Sequence, residues 1–538
     1  MLNDYTDAQL LESGLGEELL RNQEEYRRMI SQSIRTCCSG NRGARETVKE
    51  LIRVYLIREI GLNEQNIQEI LPFAQEEKLT AMQQMEILIY QNGEENGFFH
   101  LWNQSGWGME KKDRIVTEEE VRRLYALYSK KLSFRDQIAV LAHLLYADTV
   151  GLGAIDTLNW QLGCIEEIQL GMNGFAEKNY NYREEMQKKE IGKAFHRDGV
   201  HVLIQGETVW LKYLSFGTEE ELQRVLKNLI KDAQVGELTR NHPMIVIDTV
   251  DGRRVSVSRP PMTDVWAGLI RKFDSVKEVS LGQLYCSEKG GEYLASLLKY
   301  IVQSGRNIAI TGEMASGKTT LFRACLKETK PERNLRVIEA ESFELNVRSF
   351  LPEKNSLTMR ISDTTPVSEV LAFARKTTGQ IFAVGEVNSA SVAVMTMDLS
   401  KIATQLFFSA HYITTEHMIS DFINAKLCVG GYTEEAMAEI DVVRSLGFDI
   451  HLRNRNGRRY VRYINEIVPV AKGNGKAYQV RCIYQYDEEK ECGCLLEIPS
   501  EYTFERAKEE LDYEEFQNFL EFFRKEKLRD GTEKEAFS

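Results

Sequence analysis

Apolar positions in the first hundred residues recur at helical spacing. Val48, Leu51, Ile52 and Tyr55 form one such stripe, and the stretch to about residue 115 is predicted to be helical. The segment "GEENGFFHLWNQSGWGMEKKD" breaks the periodicity and reads as a boundary loop. Beyond it, Thr117 and Glu120 form a capping box ahead of Val121, Leu124, Tyr125 and Tyr128. Ser133 and Asp136 open a second apolar helix that runs through Leu145.

From about Leu162 the pattern shortens to strands mixed with helices. "VHVLIQGETVWLKYLSF" predicts strands, and Thr218 with Glu221 caps a helix carrying Leu222, Val225, Leu226, Leu229 and Ile230. "MIVIDTVDGRRVSVSRPP" predicts a hairpin turning at Asp251 and Gly252. "KFDSVKEVSLGQLYCSEKGG" reads as a linker. After it come a strand "RNIAITG", a helix "KTTLFRACL", a strand "LRVIEA", a helix "SEVLAFARKTT", and strands "QIFAVGE" and "LFFSAH". Such alternation predicts a mostly parallel sheet with helices on its faces. "FDIHLRNRNGRRYVRYI" predicts a hairpin turning near Asn456 and Gly457, and a charged amphipathic helix follows from about Tyr502.

The expected class is therefore α/β. Residues 1–115 form a helical N-terminal extension, 116–275 an α/β domain, 276–286 a linker, 287–495 a phosphate-loop domain with a C-terminal subdomain, and 496–538 a charged helical tail. With 538 residues, several domains are expected rather than one core.

Bulk properties narrow the function. The net charge of −13 argues against a general nucleic-acid binder, which needs basic surface to neutralise phosphates. No apolar run approaches the roughly 20 residues that span a bilayer. The start "MLNDYTDAQLLESGLGEE" lacks the basic and apolar regions of a signal peptide, so a cytoplasmic location is expected. The nine cysteines are scattered; Cys37–Cys38 and Cys492–Cys494 are too close and too isolated for a four-ligand zinc site.

One stretch carries chemistry. "TGEMASGKTT", Thr311 to Thr320, fits G-x-x-x-x-G-K-[ST] between a predicted strand and a predicted helix. Gly312 and Gly317 let the backbone turn its N–H groups inward, across Glu313, Met314, Ala315 and Ser316, towards phosphate oxygens. The helix start adds its positive end. Lys318 reaches the β- and γ-phosphates, Thr319 offers a hydroxyl to Mg2+, and Thr320 follows in the same turn. ATP and Mg2+ are thus the expected ligands. Glu386, closing the strand "IFAVGE", is the expected carboxylate for the metal's water shell or the attacking water.

Four stretches, "NIAITGEMASGKTTL", "VIEAESFEL", "IFAVGEV" and "FFSAHYIT", resemble in order the phosphate loop, acidic box, Walker B box and histidine box of the type II/IV secretion and pilus ATPases. The chain looks most like the CpaF-like branch that drives Flp (tight-adherence) pilus assembly. "GLGAIDTLNWQLGCIEEIQLGMNG", "HPMIVIDTVDGRRVSVSRPPMTDVWAGLIRKF" and "IDVVRSLGFDIHLRNRNGRRYVRYINEIVPV" extend the resemblance over roughly residues 118–470.

The resemblance implies a homo-hexameric ring. Each subunit would carry a RecA-like motor and an α/β N-terminal domain whose arginines close on the phosphates. Arg271 matches such a position, with Arg254 and Arg259 as supporting charges. It also implies docking on integral-membrane platform proteins at the cytoplasmic face of the membrane; the charge, not the resemblance, is what predicts no nucleic-acid partner. Glu339 and Glu341 fall in the acidic box and His411 in the histidine box, as candidate catalytic residues.

Departures from the pattern are visible. Ala340 stands where the family has aspartate, Asn388 where it has arginine, and the TGH triplet is absent before "LFFSAH". An alanine cannot order a water and an asparagine carries no charge for phosphate oxygens. The expected function is an ATP-binding, slowly hydrolysing motor. The alternatives are a non-hydrolysing nucleotide-binding component of the same machinery and a RecA-like nucleic-acid motor.

Overall fold

A computed structural model describes residues 23–38, 40–107, 115–163, 165–172, 199–204, 206–231, 238–272, 280–285, 290–340, 344–362, 364–455, 458–470 and 475–536, with side chains from residue 30 to residue 524. The chain divides into two compact units, Met1–Ser275 and Val276–Ser538.

Among the described residues the first unit has seven strands: β1 (Ile115–Val116), β2 (Ile165–Met172), β3 (Gly199–Ile204), β4 (Glu207–Leu211), β5 (Met244–Asp248), β6 (Arg254–Ser258) and β7 (Ala267–Arg271). They lie in the order β1-β4-β3-β2-β7-β6-β5, antiparallel except for β1 beside β4. The capping boxes at Thr117 and Ser133 form, and they start helices Glu118–Tyr128 and Phe134–Thr149. Thr218 accepts from the Glu221 N–H and starts helix Glu219–Leu229. That helix seats on β7, where a side chain at Gly268 would overlap Leu226. The β5–β6 hairpin turns at Asp251 and Gly252, and Gly252 takes the positive φ of 84° that the turn requires.

Two readings change here. "GFFHLWNQ" is a helix, Gly97–Gln104, because Phe98, Leu101 and Trp102 keep helical spacing and are buried together; residues 108–114 lie outside the described residues. On helix Arg42–Arg58 the buried face is Ala44, Val48 and Leu56, whereas Tyr55 is 56% exposed. Buried Arg45 on this helix donates to Asp156 from both Nε and Nη2, so a charged pair replaces part of the apolar stripe. Ile67, Leu88, Phe98, Val121, Tyr146, Ile168 and Ile270 belong to one apolar cluster, so packing is continuous across residue 115.

The second unit holds β8 (Ile308–Gly312), β9 (Leu335–Ala340), β10 (Ser356–Ile361), β11 (Ile381–Val387), β12 (Gln405–Ala410), β13 (Phe448–Arg455), β14 (Arg458–Pro469), β15 (Tyr478–Asp487) and β16 (Cys492–Leu495). The order is β10-β9-β11-β12-β8-β13-β14-β15-β16. The six strands from β10 to β13 are parallel, and the last three run antiparallel. This is a mixed α/β sheet in which β12 separates the phosphate-loop strand β8 from β11. Its central strands are nearly continuous apolar runs, as burial on both faces demands.

Helix Ala390–Ser400 escapes the periodicity test because most of its residues are buried. The hairpin "FDIHLRNRNGRRYVRYI" forms as β13–β14; its turn, Asn456–Gly457, lies outside the described residues. Helices Glu501–Glu510 and Tyr513–Ala536 close the unit, with Ala507, Leu511, Phe519 and Phe523 in its core. Among the described residues no helix is long and apolar enough to cross a membrane.

Candidate phosphate-binding site

β8 ends directly in the phosphate loop. Gly312 has φ 136° and Gly317, the N-cap of helix Lys318–Lys327, has φ 93°. A side chain at Gly312 would lie 2.2 Å from the Leu452 carbonyl oxygen, so only glycine fits beside β13. Ala315 holds φ 57°, a left-handed conformation away from glycine. Ser316 Oγ donates to the Glu313 carbonyl (2.8 Å) and closes the turn. Glu313 and Met314 are exposed, while Thr319 and Thr320 are half-buried in the helix's first turn.

The strand order decides what faces the loop. β11, β12 and β8 are neighbours, so Glu386 near the end of β11, His411 after β12 and Lys318 beyond the loop that follows β8 fall in line. Lys318 is 8% exposed, and its Nζ donates to the carbonyls of Gly312 (3.1 Å) and Glu313 (2.7 Å). Nζ also lies 3.1 Å from His411 Nδ1. An ammonium only donates, so Nδ1 accepts and the ring proton sits on Nε2. Nε2 stands 3.1 Å from Glu386 Oε1. A one-residue register shift in β11 between Val384 and Val387 accompanies this outward turn of Glu386.

Other predicted residues stand elsewhere. Glu339, at the end of β9, is buried and accepts from the Leu345 N–H (2.7 Å); a side chain at Gly385 would meet it at 3.0 Å. Glu341 lies outside the described residues. Asn388 is exposed beyond β11, in the turn where Ser389 caps the next helix. Arg271, Arg254 and Arg259 belong to the first unit. Arg271 is flanked by Glu167 on β2 and by Arg254 on β6, and Arg259 lies 4.8 Å from the Trp266 ring.

The sequence reading missed the groups behind the loop. Thr311 Oγ1 donates to Asp449 Oδ1 (2.5 Å) and lies 2.9 Å from His451 Nδ1. Asp449 Oδ2 accepts from Thr415 Oγ1 (2.6 Å), which in turn accepts from Asn465 Nδ2 (2.8 Å). Asn454 and Arg459 were also missed. Their available signal was "FDIHLRN", where polar residues alternate within a strand that is otherwise a core strand. Among the described residues no cluster of three or more His, Cys, Asp or Glu side chains could hold a metal ion.

The donor set fits a nucleoside triphosphate with Mg2+. The glycines leave a cradle that side chains would obstruct, the buried Lys318 ammonium sits inside it, and the Thr319 hydroxyl stands on the adjoining turn.

No protein-family model matches the chain. Among curated proteins, an uncharacterized protein of Bacillus anthracis is 22% identical over 193 residues, covering 33% of this chain and 42% of that relative. The chain thus matches less than half the length of that relative. Solved structures similar to it include the VirB11 ATPase of the Brucella suis type IV secretion system (18% identity, TM-score 0.29, 56% of this chain and 88% of that one). The pilus retraction motor PilT with bound ADP is similar at 14% identity and TM-score 0.36, over 65% of this chain and 84% of that one. The Legionella pneumophila ATPase DotB is similar at 11% identity and TM-score 0.36, over 67% and 84%. At these values the likenesses carry no functional argument, which rests on the site itself.

Proposed function

We propose that the protein is an ATP-hydrolysing motor of a type II/IV secretion or Flp-type pilus assembly machine. The observation that carries this reading is the line Lys318–His411–Glu386, which joins the phosphate loop to the ends of β12 and β11. Lys318 and the N–H groups of the loop would hold the phosphates, and Thr319 with Glu386 would hold Mg2+, which neutralises charge on the phosphate oxygens when bound. Glu386 orients the attacking water, and His411 fixes the carboxylate relative to Lys318. A water oxygen bonds to the γ-phosphorus, the bond to the ADP oxygen breaks, and the water proton passes to the carboxylate.

In this reading the protein works as a homo-hexamer at the cytoplasmic face of the membrane, pushing protein subunits through integral-membrane platform proteins. The resemblance of its four ordered motifs supports that setting. The −13 charge disfavours a nucleic-acid motor. Ala340 and Asn388 favour a second reading, a nucleotide-binding component without turnover. Steady-state phosphate release from Mg-ATP separates the two. The motor turns over, and Lys318→Ala abolishes the turnover. Tight ATP binding without phosphate release establishes the second reading, and equal turnover in both forms refutes the first.

A further inference from the structure

The β13–β14 hairpin is fastened to the phosphate loop along its length. Leu452 pairs with Gly312, and its carbonyl occupies the space a side chain there would need. Asn454 Nδ2 donates to the Ala315 carbonyl (3.4 Å), at the residue with left-handed φ. Arg459 then crosses the end of the loop. Its Cδ would lie 3.5 Å from a Cβ on Gly317, the residue that opens the helix and directs its N–H groups into the cradle. The guanidinium is one to three bonds beyond that carbon.

Three other arginines of the hairpin are held by carboxylates. Arg453 and Arg455 pair with Glu488, and Arg458 pairs with Glu491 at 2.9 Å. The arm of Arg459 lies beside Gly317, and the residue is half-buried. A guanidinium offers a planar fork of donors suited to phosphate oxygens, whereas Lys318 acts as a point charge.

We propose that Arg459 is a second phosphate-binding cation of this site, laid across the Gly317–Lys318 turn so that its fork grips the phosphate chain of a bound nucleotide. The proposal rests on the reading of the loop as a nucleotide site. A Cβ at position 317 would stand in ordinary contact with the arginine arm, so the arm runs directly beside the turn. It also places a cation at the loop although Asn388 carries none.

The test is nucleotide affinity of the full chain, read with fluorescent ATP and ADP analogues, for wild type, Arg459→Gln, Arg459→Lys and Asn454→Ala. Arg459→Gln weakens both nucleotides roughly tenfold to a hundredfold, the scale of a lost charged hydrogen bond. Arg459→Lys recovers part of that loss, and the nucleotide-free melting temperature of Arg459→Gln stays near that of wild type. Wild-type affinity in Arg459→Gln overturns the proposal. So does an equal loss in Asn454→Ala, which would assign the effect to hairpin packing rather than to charge. A wild-type chain that binds no nucleotide overturns both the reading of the loop and this proposal, an outcome distinct from normal binding with an unaffected variant.

Discussion

Thr311 and Asp449 share a 2.5 Å hydrogen bond in the fully buried layer behind the phosphate loop. The bond links the residue before Gly312 to the strand that carries the hairpin. The single proton of the Thr311 hydroxyl goes to the carboxylate, so His451 Nδ1–H donates to the same hydroxyl oxygen (2.9 Å). Burial pushes the Asp449 carboxyl up to about 6, and the hydroxyls of Thr311 and Thr415 restrain it. Burial pushes His451 down to about 4, helped by the charges of Arg462, Lys318 and Arg453.

The two shifts act oppositely on stability. Between pH 3.8 and about 6, native Asp449 keeps a proton that the unfolded chain has lost, so its contribution falls as pH rises. Between about 4 and 6.5, unfolded His451 takes a proton that the native ring refuses, so its contribution grows as pH rises. Each is worth roughly 3 kcal/mol, and together they nearly cancel. His451→Gln leaves the Asp449 contribution alone. Relative to wild type, the variant should lose on the order of 3 kcal/mol between pH 4 and pH 7. Denaturant melts of both proteins at the two pH values check this, and an identical deficit at both would contradict it.

Glu386→Gln keeps the side chain's shape but removes its charge beside His411. Nucleotide binding should stay within a few-fold of wild type. Turnover should fall by about 10²–10⁴, the usual worth of a positioned base. His411→Ala should cost less in kcat, since Lys318 keeps its two carbonyl partners. Separate kcat and KM values for the two variants decide the matter, and unchanged turnover in Glu386→Gln would remove the carboxylate from the mechanism.

Much of this site was legible because its spacing rules are local. The glycines, Lys318 and Thr319 fall within one turn, and Glu386 closes an apolar strand whose type is plain from its residues. What local patterns could not show was strand order. Nothing near His411 in sequence says that β12 lies between β8 and β11, yet that order sets it between Lys318 and Glu386. Asp449 and Thr311 meet across 138 positions, and Arg459 reaches Gly317 only after the hairpin folds back. In the fold, the same cause hid helix Gly97–Gln104, whose three large buried residues looked like a break in a pattern centred elsewhere.

Alanine at the two loop glycines should separate backbone strain from crowding. Gly317→Ala meets a φ of 93° and a neighbour at 3.5 Å, so a cost of about 1–2 kcal/mol is expected from the left-handed backbone. Gly312→Ala adds an overlap with the Leu452 carbonyl at 2.2 Å, which must push β13 from β8. Its melting temperature should fall further than that of Gly317→Ala. A Gly312→Ala variant as stable as wild type would refute the crowding.

The C-terminal residues, expected as a charged helical tail, should prove inseparable from the sheet. Glu466 on β14 is fully buried, and its carboxylate accepts from the Ser500 N–H (2.7 Å), Ser500 Oγ (2.5 Å) and Thr503 Oγ1 (2.6 Å). Arg481 Nη1 stands 3.7 Å away. Phe519 and Phe523 are buried against Tyr300 of helix Gly291–Gln303, the helix that precedes the phosphate-loop strand. Removing residues 496–538 therefore strips a buried carboxylate of three donors and uncovers an aromatic core. Loss of partners at a buried charge alone costs about 3–5 kcal/mol, a large share of ordinary domain stability. The truncated chain should fail to fold in its second unit and should lose nucleotide binding with it. Thr503→Val provides the graded version. Losing one hydrogen bond to a charged acceptor should cost about 1.5–3 kcal/mol and lower the melting temperature by several degrees. A truncated chain with an intact melt and wild-type nucleotide affinity would show instead that the sheet stands without these helices.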